Sequence, residues 1–241
     1  MTHRTVDEVK ARLDRLQSFD FKEERFTEIA ENQLNNNELS DRQVLLYSYH
    51  NLLGEVSHKM DLMDEHMDMK PTCFMGCAFC CYFPIITTRL EAKMITYAIE
   101  NMEPERQDYI KRHLENYFEK YHEKIEHNTS LDFEAGDIKH EYMQKQLPCP
   151  LLDEKTNTCL AYEWRPLPCR TYVNYMDPKI CEENLVPEET VSFEFLYEDY
   201  MGTFNEVAQV IAQDNDQVLD YPTDLFQYDY LPVFLREWMN K

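Results

Sequence analysis

The chain has 241 residues, enough for a core of ordinary size in one domain or in two closely packed ones, and 46 acidic against 24 basic residues give a net charge of −22. That balance speaks against a nucleic-acid footprint, which needs a basic stripe, and against docking on an anionic membrane. Only four glycines are present, with no G-x-G-x-x-G and no G-x-x-x-x-G-K, which argues against nucleotide folds built on phosphate-cradling loops.

The N-terminal residues lack the apolar core of a signal peptide, and no segment approaches the roughly 18 apolar residues of a membrane span. A cytoplasmic location is therefore expected. Thr5 predicts an N-cap for a short helix to about Leu16, and a second helix suits Phe21 to Asn35. Asn35-Asn36-Asn37 is a break, after which Ser40 and Gln43 have capping-box spacing. Val44, Leu45, Tyr47, Tyr49, Leu52, Leu53, Val56, Met60 and Met63 then keep a helical period towards Met67, and Pro71 is expected to end that helix.

Thr88 and Glu91 predict a capped helix to about Met102, and Pro104 the first residue of another to about His127. Tyr109, Ile110, Leu114, Tyr117, Phe118, Tyr121 and Ile125 form its apolar side, and residues 135 to 146 a weaker helix follows. From Leu147 to about Pro187 the helical period disappears. Cys149 to Tyr162 predicts two short strands around a polar turn at Glu154 to Thr158, and helices return over 197 to 213 and 228 to 240. The expected fold is mainly α: a helical bundle around an irregular cysteine-rich metal-binding centre with a short β-hairpin. Along the chain this divides into an N-terminal helical region (1–70), a cysteine-cluster domain (71–187) with a helical insertion (88–146), and a C-terminal helical region (188–241) packed on the same core.

All eight cysteines fall in the middle part. Cys73, Cys77, Cys80 and Cys81 lie within nine residues, and Cys149, Cys159, Cys169 and Cys181 follow at near-even intervals. In a cytosolic chain, clustered cysteines more often hold metal or do redox work than form disulfides. On one straight α-helix, Cys73 to Cys80 would span about 10 Å, whereas sulfurs around one zinc sit about 2.3 Å from the ion. Either the segment wraps as a loop, with Gly76 permitting the bend, or its cysteines serve a cluster or more than one ion. A hairpin joining Cys149 to Cys159 makes both plausible partners of the first group. Two four-sulfur sites, or one cluster plus structural thiols, remain alternatives.

The constellation resembles the C-x-x-C-x-x-C-C family, the YkgJ-like cysteine-cluster proteins, described as a zinc- or iron-chelating domain. The matching residues are Cys73, Cys77, Cys80 and Cys81, then Cys149-Pro150 with Leu152, Cys159, Tyr162-Glu163, Arg165-Pro166, Cys169-Arg170 and Cys181. The first gap is three residues rather than two. The resemblance implies metal binding, with zinc or an iron–sulfur cluster as cofactor, by all eight cysteines. A flagellin lysine N-methylase has a similar cluster, which makes a lysine N-methylase-like enzyme an alternative reading. Cys73-x-x-x-Cys77-x-Phe79-Cys80 also matches the radical S-adenosylmethionine signature. The helical pattern of residues 82 to 146 and the lack of any Gly-Gly pair argue against that fold.

Arg165 and Arg170 are candidate cofactor contacts, able to hold a carboxylate or to donate N–H to cluster sulfurs. His66 is a candidate stray ligand, while Met60, Met63 and Met67 follow helical spacing and read as core rather than as a copper(I) site. The expected partner is a metal ion, with a protein partner unspecified.

Overall fold

A computed structural model describes residues 3–22, 24–215 and 217–241. The fold is mainly α, and the strands among the described residues are three short antiparallel pairs. Two compact units divide the contacts. The first takes the chain up to Cys73 together with Pro166–Pro178 and Glu189–Phe226; the second takes Phe74–Arg165, Lys179–Glu188 and Gln227–Lys241.

The first unit is built on helix Asp41–Met67. Ser40 N–H donates to the Gln43 side chain at 3.0 Å, so the capping signal in the sequence does set this start. Leu45, Tyr49, Leu52, Leu53, Val56, Met63 and Met67 recur at helical spacing and are buried. They pack against helices Glu24–Leu34 and Leu196–Asp214, with Tyr49 and Phe204 in ring contact. The methionines of this helix are therefore core. Its end comes earlier than Pro71: Asp68 adopts a left-handed conformation (φ 52°) and stops the helix at Met67. Arg12, from helix Val6–Leu13, holds that cap through the Asp68 carbonyl and, at 2.8 Å, its carboxylate. Tyr172–Val173 pairs with Val191–Ser192, a pairing the sequence does not announce.

The second unit carries helices Arg89–Glu100, Pro104–Lys120 and Leu231–Met239. Thr88 caps the first of these, its hydroxyl accepting from Glu91 N–H at 3.1 Å. The helix opened by Pro104 breaks at Tyr121 and resumes over His122–Thr129. Ile86–Thr88 pairs with Tyr228–Tyr230, so residues read as the start of the last helix are a strand that leads into it. Tyr117, Tyr121, Ile125, Tyr142, Leu147 and Tyr230 form the core, and the Tyr142 and Tyr230 rings stack at 5.6 Å. The weak helix of residues 135 to 146 shortens to Lys139–Gln144.

Candidate metal centre

The first cysteine group lies on a bent segment rather than a helix. Gly76 has φ +91°, a conformation open to glycine, and the chain then turns into a 3₁₀ helix over Phe79–Tyr82. The segment thus wraps as a loop at Gly76 rather than continuing as a straight helix. Cys77 N–H donates to Phe74 O at 2.9 Å and Cys81 N–H to Ala78 O at 3.0 Å, closing successive turns. Met75, at the tip, is 92% exposed.

The predicted hairpin is present as Leu152–Asp153 against Thr158–Cys159, in register Leu152 to Cys159. Asn157 takes a positive φ (54°) in its turn, a role asparagine tolerates. The two cysteine groups meet in the backbone, where Cys149 N–H donates to Cys81 O at 2.6 Å. The short helix Lys179–Glu183, which carries Cys181, packs on the 3₁₀ helix bearing Cys80 and Cys81. Six of the eight cysteines (Cys77, Cys80, Cys81, Cys149, Cys159 and Cys181) thus belong to the second unit, whereas Cys73 and Cys169 belong to the first. Cys73 is exposed and the other seven cysteines are partly buried.

A hydrogen bond to the neighbouring Cys81 sulfur, in which Cys80 keeps the proton, together with burial, raises the Cys80 thiol well above its ordinary pKa, and the charge of Arg165 acts in the opposite sense. Arg165 also lies over the Tyr162 ring at 4.0 Å, so two residues of the Tyr-Glu-x-Arg-Pro motif form a cation–π pair. Arg170 belongs to the first unit, where its Nη1 donates to Ser57 Oγ at 2.9 Å. His66 is also in the first unit, between Ser18 and Arg15 O and against Phe19.

Side chains of helix Pro104–Lys120, of Tyr121 and of helix His122–Thr129 reach the hairpin segment. Arg106 donates to Leu160 O at 3.0 Å, Tyr109 to Asp153 at 3.1 Å, Tyr117 to Pro148 O at 2.8 Å and Lys120 to Glu154 at 3.0 Å. His113 Nε2 lies 2.9 Å from Pro150 O; a carbonyl only accepts, so the imidazole carries its proton on Nε2. Tyr121 reaches the Glu154 carboxylate at 2.8 Å, and Lys124 reaches Gln146 O at 3.1 Å. The sequence reading took Tyr109, Tyr117 and Tyr121 only as an apolar side. The signal passed over at Tyr117 and Tyr121 is that a buried tyrosine hydroxyl needs a partner, whereas Tyr109 is exposed.

Among the described residues, no three His, Cys, Asp or Glu side chains converge closely enough to hold an ion. The donor set nevertheless fits a soft metal, being sulfur throughout and drawn from three chain segments into one unit. No helix among the described residues is long and apolar enough to cross a membrane.

A mainly α fold carrying a thiol-rich irregular segment defines a class of cysteine-based metal-binding proteins. Residues 72–190 match the CxxCxxCC family, "Putative zinc- or iron-chelating domain", and that segment belongs to this family. Comparison with curated proteins and with solved structures finds no match.

Proposed function

We propose that Cys77, Cys80, Cys81 and Cys149 are the principal thiolate ligands of a zinc ion or an iron–sulfur cluster, with Cys159 and Cys181 beside them, and that holding this group is what the domain does. The observation that carries the reading is the Cys149 N–H to Cys81 O hydrogen bond, which joins two cysteine groups separated by 67 intervening residues in the sequence. Cys73 and Cys169, in the other unit, are outside this minimal set.

A zinc ion would supply a structural cross-link, and an iron–sulfur cluster the capacity to carry an electron. The protein's own part is to release the thiol protons and to close the side chains on the ion by rotation about Cα–Cβ. Metal binding and proton release are linked, because the thiolate and not the thiol is the ligand. Arg165, whose charge opposes the upward shift of Cys80, favours the thiolate form at that position.

The enzyme reading, a lysine N-methylase-like activity on a protein substrate, rests on resemblance alone. Turnover of S-adenosylmethionine with a lysine peptide tests it, and failure to bind S-adenosylmethionine would sink it. The radical S-adenosylmethionine reading needs a partial barrel of alternating strands and helices; the described strands are two-stranded antiparallel pairs.

The decisive experiment is metal analysis with an absorption spectrum on protein purified without oxygen. Zinc without colour, or iron with labile sulfide and a broad visible band, supports the proposal and chooses between the two groups. Wild-type protein that retains neither metal, or a Cys81→Ser, Cys149→Ser double variant that keeps its full content, overturns it.

A further inference from the structure

Cys149 sits between two prolines, and the triplet Pro148-Cys149-Pro150 has four backbone polar groups: one N–H, on Cys149, and three carbonyls. All four are engaged. The N–H goes to Cys81 O at 2.6 Å and the Cys149 carbonyl accepts from Leu152 N–H at 3.0 Å. Tyr117 takes the Pro148 carbonyl at 2.8 Å and His113 the Pro150 carbonyl at 2.9 Å. Buried backbone groups are ordinarily satisfied by secondary structure. Here two side chains, four residues apart on helix Pro104–Lys120, do that work on either side of one cysteine.

We infer that His113 and Tyr117 are positioning residues for Cys149: they grip the carbonyls that flank it and fix its backbone, so that the thiol has only its own side-chain rotation left when it meets the metal. This rests on the reading of Cys149 as a ligand. The backbone bonds to Cys81 and Leu152 hold only the peptide groups of Cys149 itself, whereas the two anchors from helix Pro104–Lys120 fix the carbonyls on either side of it. The same face has bonds that do not touch a cysteine's neighbours. Tyr109 reaches only the Asp153 carboxylate at the hairpin turn, at 3.1 Å, and serves as an internal control.

The test is a cobalt(II) titration of apoprotein prepared without oxygen, following thiolate-to-cobalt absorption, for wild type, Tyr117→Phe, His113→Ala, His113→Gln and Tyr109→Phe. Tyr117→Phe keeps the ring in the core and removes one donor, so it leaves the fold intact. Loss of an orienting partner typically weakens metal binding roughly 10- to 100-fold. The expected result is a loss of about tenfold for Tyr117→Phe and His113→Ala. His113→Gln, which restores an N–H donor, recovers most of the affinity, and Tyr109→Phe stays at the wild-type value.

Far-ultraviolet circular dichroism of each apoprotein should be unchanged, a readout that a purely structural role would move. Wild-type affinity in Tyr117→Phe and His113→Ala would overturn the positioning role while leaving the metal reading intact. An equal loss in Tyr109→Phe would overturn it as well, since anchoring the hairpin anywhere would then suffice. Absence of thiolate-to-cobalt absorption in the wild type would remove the metal reading itself.

Discussion

The two units solve the same problem with different means. In the first, helix Asp41–Met67 is held by apolar side chains that repeat at helical spacing, from Leu45 through Met67. Each buried leucine or methionine there contributes roughly 1.5–3 kcal/mol by leaving water. In the second, residues 146 to 165 have little regular structure of their own: Leu147, Leu151, Leu152 and Leu160 are buried without a helical period, and side chains of two successive helices reach backbone carbonyls at Gln146, Pro148, Pro150 and Leu160. A net hydrogen bond contributes only about 0.5–1.5 kcal/mol. The comparison teaches that the segment carrying Cys149 and Cys159 is held by scattered buried side chains and point contacts rather than by one repeating apolar face. Under the proposed reading, a bound metal would add to that hold.

The strongest way to break that comparison is to remove the metal. Chelation should expose the amides of residues 74–83 and 147–165 to hydrogen exchange, while those of helix Asp41–Met67 stay protected. Apparent metal-linked folding energies for structural zinc are of the order of 10 kcal/mol at neutral pH, so this is the largest expected effect. Equal loss of protection in both regions would mean that the metal stabilises the whole chain and that the contrast is wrong.

The converse change strikes the first unit. Leu53 is fully buried on the long helix, and Leu53→Ala should cost roughly 2–5 kcal/mol through lost burial and a residual cavity. Urea denaturation measures it. Metal bound per folded chain should not change, and a drop would show that the apolar core also sets the metal centre.

The regular parts of both units were legible because their signals are local. Ser40 with Gln43, Thr88, Pro104 and the apolar period from Val44 to Met67 each act within a turn or along one helix face. The hairpin was legible from its polar turn between short apolar stretches. What could not be read were effects from distant residues. The pairing of Ile86–Thr88 with Tyr228–Tyr230 joins segments far apart in the chain. Asp68, not Pro71, ends the long helix because Arg12, some fifty-six residues earlier, holds the cap. The constellation of thiols was visible in the sequence, but not that six of the eight would fall in one unit, nor that Arg170 would turn to Ser57.

A smaller test addresses the anchoring face away from the thiols. Tyr121 donates to the Glu154 carboxylate, which Lys120 also holds. Tyr121→Phe keeps the ring among the core aromatics and deletes one partly exposed hydrogen bond, so it should cost about 1 kcal/mol or less. Thermal denaturation of the metal-loaded protein measures this. A loss several times larger would mean that the point contacts act cooperatively and that the second unit is held more firmly than the comparison allows.

The smallest effect belongs to the first unit's N-terminus, where a local signal can be titrated. Thr5 N–H donates to the Glu8 carboxylate at 2.8 Å while Glu8 N–H donates to Thr5 Oγ, a reciprocal cap on helix Val6–Leu13. The hydrogen bonds from Thr5 hold the Glu8 carboxyl below its ordinary pKa. A carboxylate whose pKa is lower folded than unfolded contributes its stability in full above the unfolded value. It loses that contribution as pH falls through the folded one. Glu8→Gln keeps an acceptor and removes the charge. Wild type should therefore exceed Glu8→Gln in helical signal and thermal midpoint near neutral pH, and the difference should shrink as acid enters the carboxylate range and vanish below the depressed folded pKa. A difference that grows on acidification would reverse the sign and overturn the charged cap.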